Sequence, residues 1–328
     1  MQTASTNPWP SRQFYAMGSH MTAWLELANQ ELAQRTLAQV EDLFHAAEAR
    51  FTRFRPTSEL AQVNAQAGQW TSVSNVFWRL LTRALHLSQA TDGLFDPTVF
   101  NAVVATGYDR DFAEVRQRGT LSNGQAKPSA TPLRGCWQAV ELDAVQHALR
   151  LPPSVKLDLG GIAKGETAQA AVAFLSQWGP CLVDAGGDLV AGDAPTGWPG
   201  WLVGIAKPTL TAADGVANEP ASDLAHLWLK NSALATSGTD YRRWQQGGVT
   251  VHHLIDPRTG TAAATDLLTV SVLAAEAAVA EAWAKAALIR GAKDGRMLLE
   301  AHQHPAALVD QQQQVTITPA LQPFVQLQ

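Results

Sequence analysis

The sequence predicts a protein of mixed helices and strands, on three observations. Short apolar or β-branched runs such as Cys181-Leu182-Val183, Trp201-Leu202-Val203-Gly204-Ile205 and Leu268 to Ala274 have strand length. Stretches with apolar residues at helical spacing, among them Asn29 to Ala49, Trp78 to Ala90 and Glu276 to Arg290, have helix length. Glycine pairs and a Pro-x-x-Gly turn punctuate the two kinds. At 328 residues the chain is long for one domain and short for three, so one large domain or two lobes sharing a cleft is expected.

Taken in order, a frayed start leads through Phe14 to Ser19 into a strand at His20 to Leu27. The helix from Asn29 to Ala49 follows, with Leu32, Leu37, Val40, Leu43 and Phe44 as candidates for its inner face. Phe51 to Pro56 ends it, and Thr57-Ser58-Glu59-Leu60 opens a short helix reaching Asn64. After the helix from Trp78 to Ala90, Asp92-Gly93 is a stop, and Phe95-Asp96-Pro97-Thr98-Val99 begins a new element. Residues 109–134 are polar and rich in Gly, Ser and Pro, which reads as a surface insertion, and 193–223 reads as a second one around the Trp201 strand. Strand-like pieces flank a turn at Asp143, and Val155 to Asp158 is expected as a short strand. Thr167 to Leu175 is an Ala-rich helix stopped by Trp178-Gly179-Pro180. Short strands at Cys181 to Asp184 and Leu189 to Gly192, then Leu224 to Leu229, Ala233 to Ala235 and Val251 to Ile255, lead to the buried Leu268 run. The helix from Glu276 to Arg290, closed by Gly291, and strands at Ala306 to Val309 and Val315 to Thr318 finish the chain.

Bulk properties exclude several classes. With 46% hydrophobic residues, 16% charged and a net charge of -5, nothing points to nucleic acid or an anionic membrane surface as partner. No run of about 18 apolar residues suits a transmembrane helix. The start, MQTASTNPWPSRQF, has no basic segment, apolar core or small-residue cleavage site, so the chain as given is expected to be cytoplasmic. Cys136 and Cys181 have no His or Cys at metal-ligand spacing and read as buried thiols.

Two glycine turns carry the chemical signal. Asp158-Leu159-Gly160-Gly161-Ile162-Ala163-Lys164-Gly165-Glu166 joins the expected strand to a helix, where close backbone approach and the free N–H groups of a helix start suit an anion, most often a phosphate. The stretch is neither a Walker loop, since Glu166 follows Gly165, nor a G-x-G-x-x-G. One Gly-Gly pair is more often a turn that uses glycine for geometry alone. A second pair within 30 residues, Ala185-Gly186-Gly187-Asp188, strengthens the anion reading.

These turns and several other stretches together resemble the ApbE-type FAD:protein FMN transferases. The stretches are Ala16-Met17-Gly18-Ser19, Ser58 to Asn64, Phe95 to Val99, Asp158 to Gly165, Val183 to Asp188, Ala235-Thr236-Ser237-Gly238 and His253 to Gly260, in family order across nearly the whole chain. The resemblance implies an α+β fold with mixed or antiparallel sheets, packed helices and a flavin-dinucleotide cleft. It implies transfer of FMN from FAD to a Ser or Thr hydroxyl of an acceptor protein, with release of AMP. The binding residues it implies are Met17, Gly18, Ser19, Asp96, Asp158, Gly160, Gly161, Lys164, Gly165, Glu166, Gly186, Gly187, Asp188, Thr236, Ser237 and Gly238. His253 and Asp256 match the family's His-x-x-Asp-Pro stretch; a neutral His near the acceptor has the basicity for a general base. Asp96 and Asp158 have the competing reading of acids that cap local backbone N–H groups. Family members are often exported and lipid-anchored.

One departure stands out. Active members resemble Ala-Asp-x-x-x-Thr after the last long strand, and the Asp, the Thr and the carbonyl of the Gly-Gly-x-Ala alanine hold Mg²⁺. This chain has Ala280-Glu281-Ala282-Trp283-Ala284-Lys285, so the implied metal residues are the Ala163 carbonyl and Glu281, while Lys285 at the Thr position joins His253 and Asp256 as a candidate catalytic residue. Glu281 still offers oxygen to a hard cation, but a Lys ammonium only donates and cannot coordinate Mg²⁺. Glu281 and Lys285 read either as an exposed i,i+4 pair or as a site in which the Lys285 ammonium takes the place of metal charge beside a pyrophosphate. Two other functions suit the same cleft: an FAD-binding protein without catalysis, and an FAD pyrophosphatase giving FMN and AMP.

Overall fold

The computed structural model describes residues 8–112, 114–115, 136–208, 223–246 and 249–326. Residues 116–135 and 209–222, which fall almost wholly in the two expected insertions, lie outside the described residues. The chain divides into two compact units: Met1–Ala47 with Lys164–Tyr241 and Asp266–Gln328, and Glu48–Ala163 with Arg242–Thr265.

In chain order the described elements are β1 (Ser11–Ala16), β2 (Ser19–Leu25), α1 (Gln30–Phe51), α2 (Glu59–Ala65), β3 (Trp70–Ser72), α3 (Asn75–Ala90), α4 (Phe100–Ala105), β4 (Glu141–Asp143), β5 (Ala148–Arg150) and α5 (Ala163–Leu175). They continue with β6 (Cys181–Ala185), β7 (Leu189–Ala191), β8 (Trp201–Ala206), β9 (Asp223–Leu229), β10 (Ser232–Gly238), β11 (Arg243–Gln246), β12 (Val249–His252), β13 (Ile255–Asp256), β14 (Thr261–Ala262) and β15 (Leu267–Ala274). The last are α6 (Ala277–Arg290), α7 (Ala292–Ala301), β16 (Ala306–Asp310), β17 (Val315–Ile317) and β18 (Val325–Gln326). The fold is thus mixed helix and antiparallel sheet, as the sequence predicts.

The first unit is built on an antiparallel sheet in the order β1-β2-β6-β7-β10-β15-β16-β17. Strand side chains alternate between faces, and both faces are covered. Val183, Ala185 and Ala233 pack with Leu37, Val40 and Phe44 of α1 and Val172 and Leu175 of α5. Leu182, Leu234 and Leu273, one residue out of phase, pack with Trp201, Val203, Leu227 and Leu229 of the small sheet β8-β9-β18. Burial on both sides is why β6 and β15 are mostly apolar and not alternating, with Asp184, Thr269 and Ser271 as the polar exceptions. Helix α6 is apolar or small nearly all round and is correspondingly buried along its length.

The second unit holds the antiparallel sheet β3-β5-β4, the pairs β11-β12 and β13-β14, and helices α2 to α4. Ser58 and Ser74 cap α2 and α3 by accepting from the N–H groups of Ala61 and Phe77. Glu59 in turn accepts from the Ser74 N–H and hydroxyl, which fixes the entry of α3 on α2. Trp244 packs among Val103, Tyr108 and Ile255 and donates its indole N–H to the Thr106 carbonyl at 2.8 Å.

Three local expectations are corrected, and one helix has no counterpart in the sequence reading. The frayed start is β1, a polar edge strand that turns only Phe14 and Ala16 fully inward, so its apolar signal is sparse. Phe95 to Val99 opens no regular element; α4 begins only at Phe100. Val155 to Asp158 alternates as expected, but it makes a single parallel bridge, Lys156 to Val99, and no ladder strand. Its hydrogen bonds go to a side chain and a loop carbonyl, described below, after Pro152-Pro153 removes two N–H donors. Helix α7 follows Gly291 directly, its first N–H taken by the Asp266 carboxylate at 2.7 Å. The thiols also differ: Cys181 is buried, and burial pushes it up to about 11, whereas Cys136 is half-buried.

Candidate functional site

The motif residues fall into two groups, one in each unit. In the first unit, the β1-β2 hairpin turns on Met17-Gly18, both at positive φ, the geometry a two-residue turn between right-twisted strands requires. Because β2 pairs with β6 and Met21 faces Ala185, Ser19 comes beside the second glycine turn, where a Cβ on Gly186 would lie 2.6 Å from the Ser19 Cβ. Gly186 and Gly187 both have positive φ, and the Asp184 carboxylate accepts from the Gly187 N–H at 2.7 Å. That amide is spent on the turn itself, which narrows the expected cradle of free N–H groups. Burial raises the Asp184 pKa, with the Gly187 N–H opposing.

Asp188 closes this turn and is the anchor of a buried ionic cluster. Its Oδ2 accepts from the Lys164 ammonium, which also donates to the Ala185 carbonyl at 3.1 Å, and its Oδ1 accepts from the Thr236 N–H at 3.3 Å. The next strand adds hydroxyls: Thr236 Oγ1 bonds Ser271 Oγ at 2.8 Å across β10 and β15, and Ser237 is buried. Lys164 is placed by α5, and Gln169 on the same helix accepts from the Ala277 N–H, tying the start of α6 to α5. One turn into α6, Glu281 is 2% exposed and faces Gly165, where a Cβ would stand 2.6 Å from Oε2. Gly165 is therefore required for room. Lys285, one turn further, folds back so that Nζ donates to the Glu281 carbonyl at 3.4 Å.

These positions correct the exposed-pair reading of Glu281 and Lys285. Burial drives the Glu281 carboxyl up to about 8, with the Lys285 ammonium opposing and the Asp188 charge adding. Burial pushes Asp188 up as well, but the ammonium groups of Lys164 and Lys285 outweigh it and hold Asp188 below its ordinary value. The two adjacent carboxyl groups are thus driven in opposite directions, Asp188 down and Glu281 up. Glu166 lies in the first turn of α5, and Gly238 ends β10.

In the second unit, three distant motifs meet on the segment before the first glycine turn. Asn64 of α2 donates to the Leu157 carbonyl at 2.8 Å and accepts from the Leu157 N–H at 2.7 Å. The Asp158 N–H donates to the Pro97 carbonyl at 2.7 Å. Asp158 Oδ1 accepts from the Gly160 N–H at 2.8 Å, so this amide too is used in the turn, and Oδ2 lies 3.4 Å from Arg53 Nε. Gly161 follows, and the Ile162 and Ala163 N–H groups return to the Leu159 carbonyl to start α5. Asp96 accepts from both the N–H and the hydroxyl of Thr98 at 2.7 and 2.6 Å, while burial raises its pKa. Asp96 and Asp158 therefore both hold local backbone donors.

Of the neighbouring histidines, His252 donates its Nε2–H to the Ala263 carbonyl at 3.0 Å and accepts from the Leu254 N–H at Nδ1, and burial lowers its pKa. His253 lies just beyond the end of β12. Asp256 is clamped by Arg258, whose Nε and Nη2 donate at 2.9 and 2.8 Å while the Arg258 N–H donates to Oδ1. Asp256 thus shapes the turn after His253.

Sequence reading missed Arg53, Asn64 as a clip, and Arg258. Arg53 was visible only as part of a helix end; the structure buries its side chain to 7% exposure, stacks it 4.3 Å over the Tyr108 ring and bonds it to the Tyr108 carbonyl at 2.6 Å. Nothing local in the sequence signals a partner 55 residues away. Arg258 was within the recognised Pro-x-x-Gly turn, and its two-residue spacing from Asp256 was the available signal.

Residues 17–309 match the ApbE family. An FAD:protein FMN transferase of Treponema pallidum is 30% identical over 280 residues, covering 80% of this chain and 73% of its own length. One of Chlamydia trachomatis is 27% identical over 271 residues, covering 80% and 78%. The crystal structure of the ApbE protein of Thermotoga maritima superposes with a TM-score of 0.81 at 21% identity, over 97% of this chain and all of that one. The apo flavinyl transferase ApbE of Pseudomonas stutzeri gives 0.74, over 96% of each chain. Among the described residues no helix is long and apolar enough to cross a membrane. The chain belongs to the ApbE family.

Proposed function

We propose that this protein transfers FMN from FAD to a Ser or Thr hydroxyl of an acceptor protein and releases AMP. The observation that carries the reading is the family match across residues 17–309, which takes in the motifs from Met17 to Gly260, with relatives that bear this activity. In the reaction the acceptor oxygen bonds to the FMN phosphorus while that phosphorus loses its bond to the bridging oxygen of the diphosphate. The hydroxyl proton passes to a base, and AMP departs with the bridging oxygen. Such chemistry needs positioning, charge neutralisation and a proton acceptor.

The first unit supplies cation and donor groups. Lys164, held by Asp188, is a fixed positive charge, and Thr236, Ser237 and Gly238 with Met17, Gly18 and Ser19 add hydroxyl and backbone donors. Gly186 allows close approach of backbone to ligand. In the second unit His253 is the base, and Asp256 with Arg258 orients the segment that carries it. Asp96 and Asp158 set the loops that present Gly161.

Mg²⁺, which the family resemblance implies, does not fit the residues present. Of the candidate ligands around Glu281, Lys285 has no lone pair to offer, Asp188 Oδ2 is held by Lys164, and Thr236 Oγ1 is bonded to Ser271. Mg²⁺ demands a near-octahedral oxygen shell.

The test is incubation of the purified protein with FAD and a Thr-containing acceptor, with and without Mg²⁺, resolving FAD, FMN and acceptor-linked flavin. Acceptor-linked flavin is the expected product. FMN without an adduct would replace the reading by FAD pyrophosphatase. Unchanged FAD, with an active relative labelling the same acceptor, would replace it by a binding protein.

A further inference from the structure

We propose that Lys285 is a built-in cation that takes the place of the divalent metal, so that the diphosphate of FAD binds to this protein without one. The proposal rests on the transferase reading above and deepens it by naming how the charge of its substrate is met.

Four observations carry it. Glu281 and Lys285 are one helical turn apart and so share a face of α6. That face is inside the protein, since Glu281 is 2% exposed and meets Gly165 at the start of α5. Two ammonium groups, those of Lys164 and Lys285, already act on the Asp188 carboxylate. Finally, the oxygen supply is short: Asp188 is engaged by Lys164 and the Thr236 N–H, and Glu281 Oε2 is a buried oxygen without a hydrogen-bond partner among the described residues. A divalent ion placed there would find the open Oε2 of Glu281 but meet two fixed positive charges. A phosphate oxygen placed there meets two donors of opposite charge, with no need for the ion to lose its water.

An ammonium is a point charge with three rotatable donors, so it binds phosphate without demanding fixed geometry. Tethering it to a packed helix removes the cost of capturing it from solution. The consequence is that flavin affinity is set by the protein alone and does not follow the free concentration of Mg²⁺.

The experiment is FAD titration of the full chain by flavin fluorescence, in EDTA and in excess Mg²⁺, for the parent and for Lys285→Met and Lys285→Thr, with a melting curve for each protein. Parent affinity is expected to agree between the two buffers within about twofold, and Lys285→Met is expected to bind about tenfold or more weaker in both. Lys285→Thr, which offers an oxygen in place of the ammonium, is expected to weaken in EDTA and recover in Mg²⁺. Parent binding that collapses in EDTA and returns with Mg²⁺ would overturn the proposal, as would folded Lys285→Met that binds FAD like the parent. The parent arm does not depend on any variant folding. Absence of FAD binding in both buffers would instead overturn the transferase reading, and this inference with it.

Discussion

Asn64→Ala should cost far more than the loss of one small polar side chain suggests. Asn64 is 6% exposed and makes both hydrogen bonds that Leu157, itself fully buried, forms in place of a strand ladder. Alanine leaves a buried N–H and a buried carbonyl unpaired, each worth about 1–3 kcal/mol, so the loss should be about 2–4 kcal/mol after partial relaxation. At about 2–4 °C per kcal/mol for a unit of this size, the melting midpoint should fall by roughly 4–16 °C. Hydrogen exchange at the Leu157 amide should quicken before that of the β3-β5-β4 sheet, because the clip opens locally. Gln62→Ala, an exposed change on the same helix, should stay within about 0.5 kcal/mol of the parent. If Asn64→Ala melts within about 1 °C of the parent with Leu157 still protected, the clip does not hold the segment and the argument for why it needs no ladder is wrong.

Gly165→Ala should destabilise by about 1–3 kcal/mol, measured by urea unfolding, because its Cβ would meet Glu281 Oε2 at 2.6 Å and the Ala277 Cβ at 3.0 Å. Arg53→Met should cost about 1–3 kcal/mol by removing the partner of Asp158 and the donor to the Tyr108 carbonyl, with Arg53→Lys intermediate since it keeps charge but not the planar stack; equal stability of all three proteins would refute this. His304 sits at about 4 against an ordinary 6.5, through burial first and the neighbouring His302 second. Its folded pKa is depressed, so the stability it contributes is present above pH 6.5 and lost as pH falls toward 4, by about 1–2 kcal/mol once its partial exposure is discounted. Melting curves between those limits should be flatter for His304→Gln, and identical slopes would count against the assignment.

Much of the fold is legible in the order of residues. Runs buried on both faces, such as Leu267–Ala274, are apolar or β-branched at all but one position, Ser271, and long helices such as α1 and α3 carry their period, so local physics identifies them. The edge strand β1 and helix α7 were less legible because each turns few apolar residues inward, leaving little pattern to read. The glycine turns announced themselves through paired glycines flanked by Asp, and their role as Asx-stabilised turns follows from that spacing.

The sequence by itself determined the mixed class, the family and the motifs, because hydrophobic period, turn residues and motif order are properties of neighbours along the chain. Only tertiary structure decided that Glu281 is buried beside Lys285, Lys164 and Asp188, that Arg53 holds Asp158, and that Asn64 takes the place of a strand partner. In each case the partner is distant in sequence, and a charge or amide has no preferred surroundings until folding removes it from water. Its hydrogen bonds and its proton are then set by what packs against it.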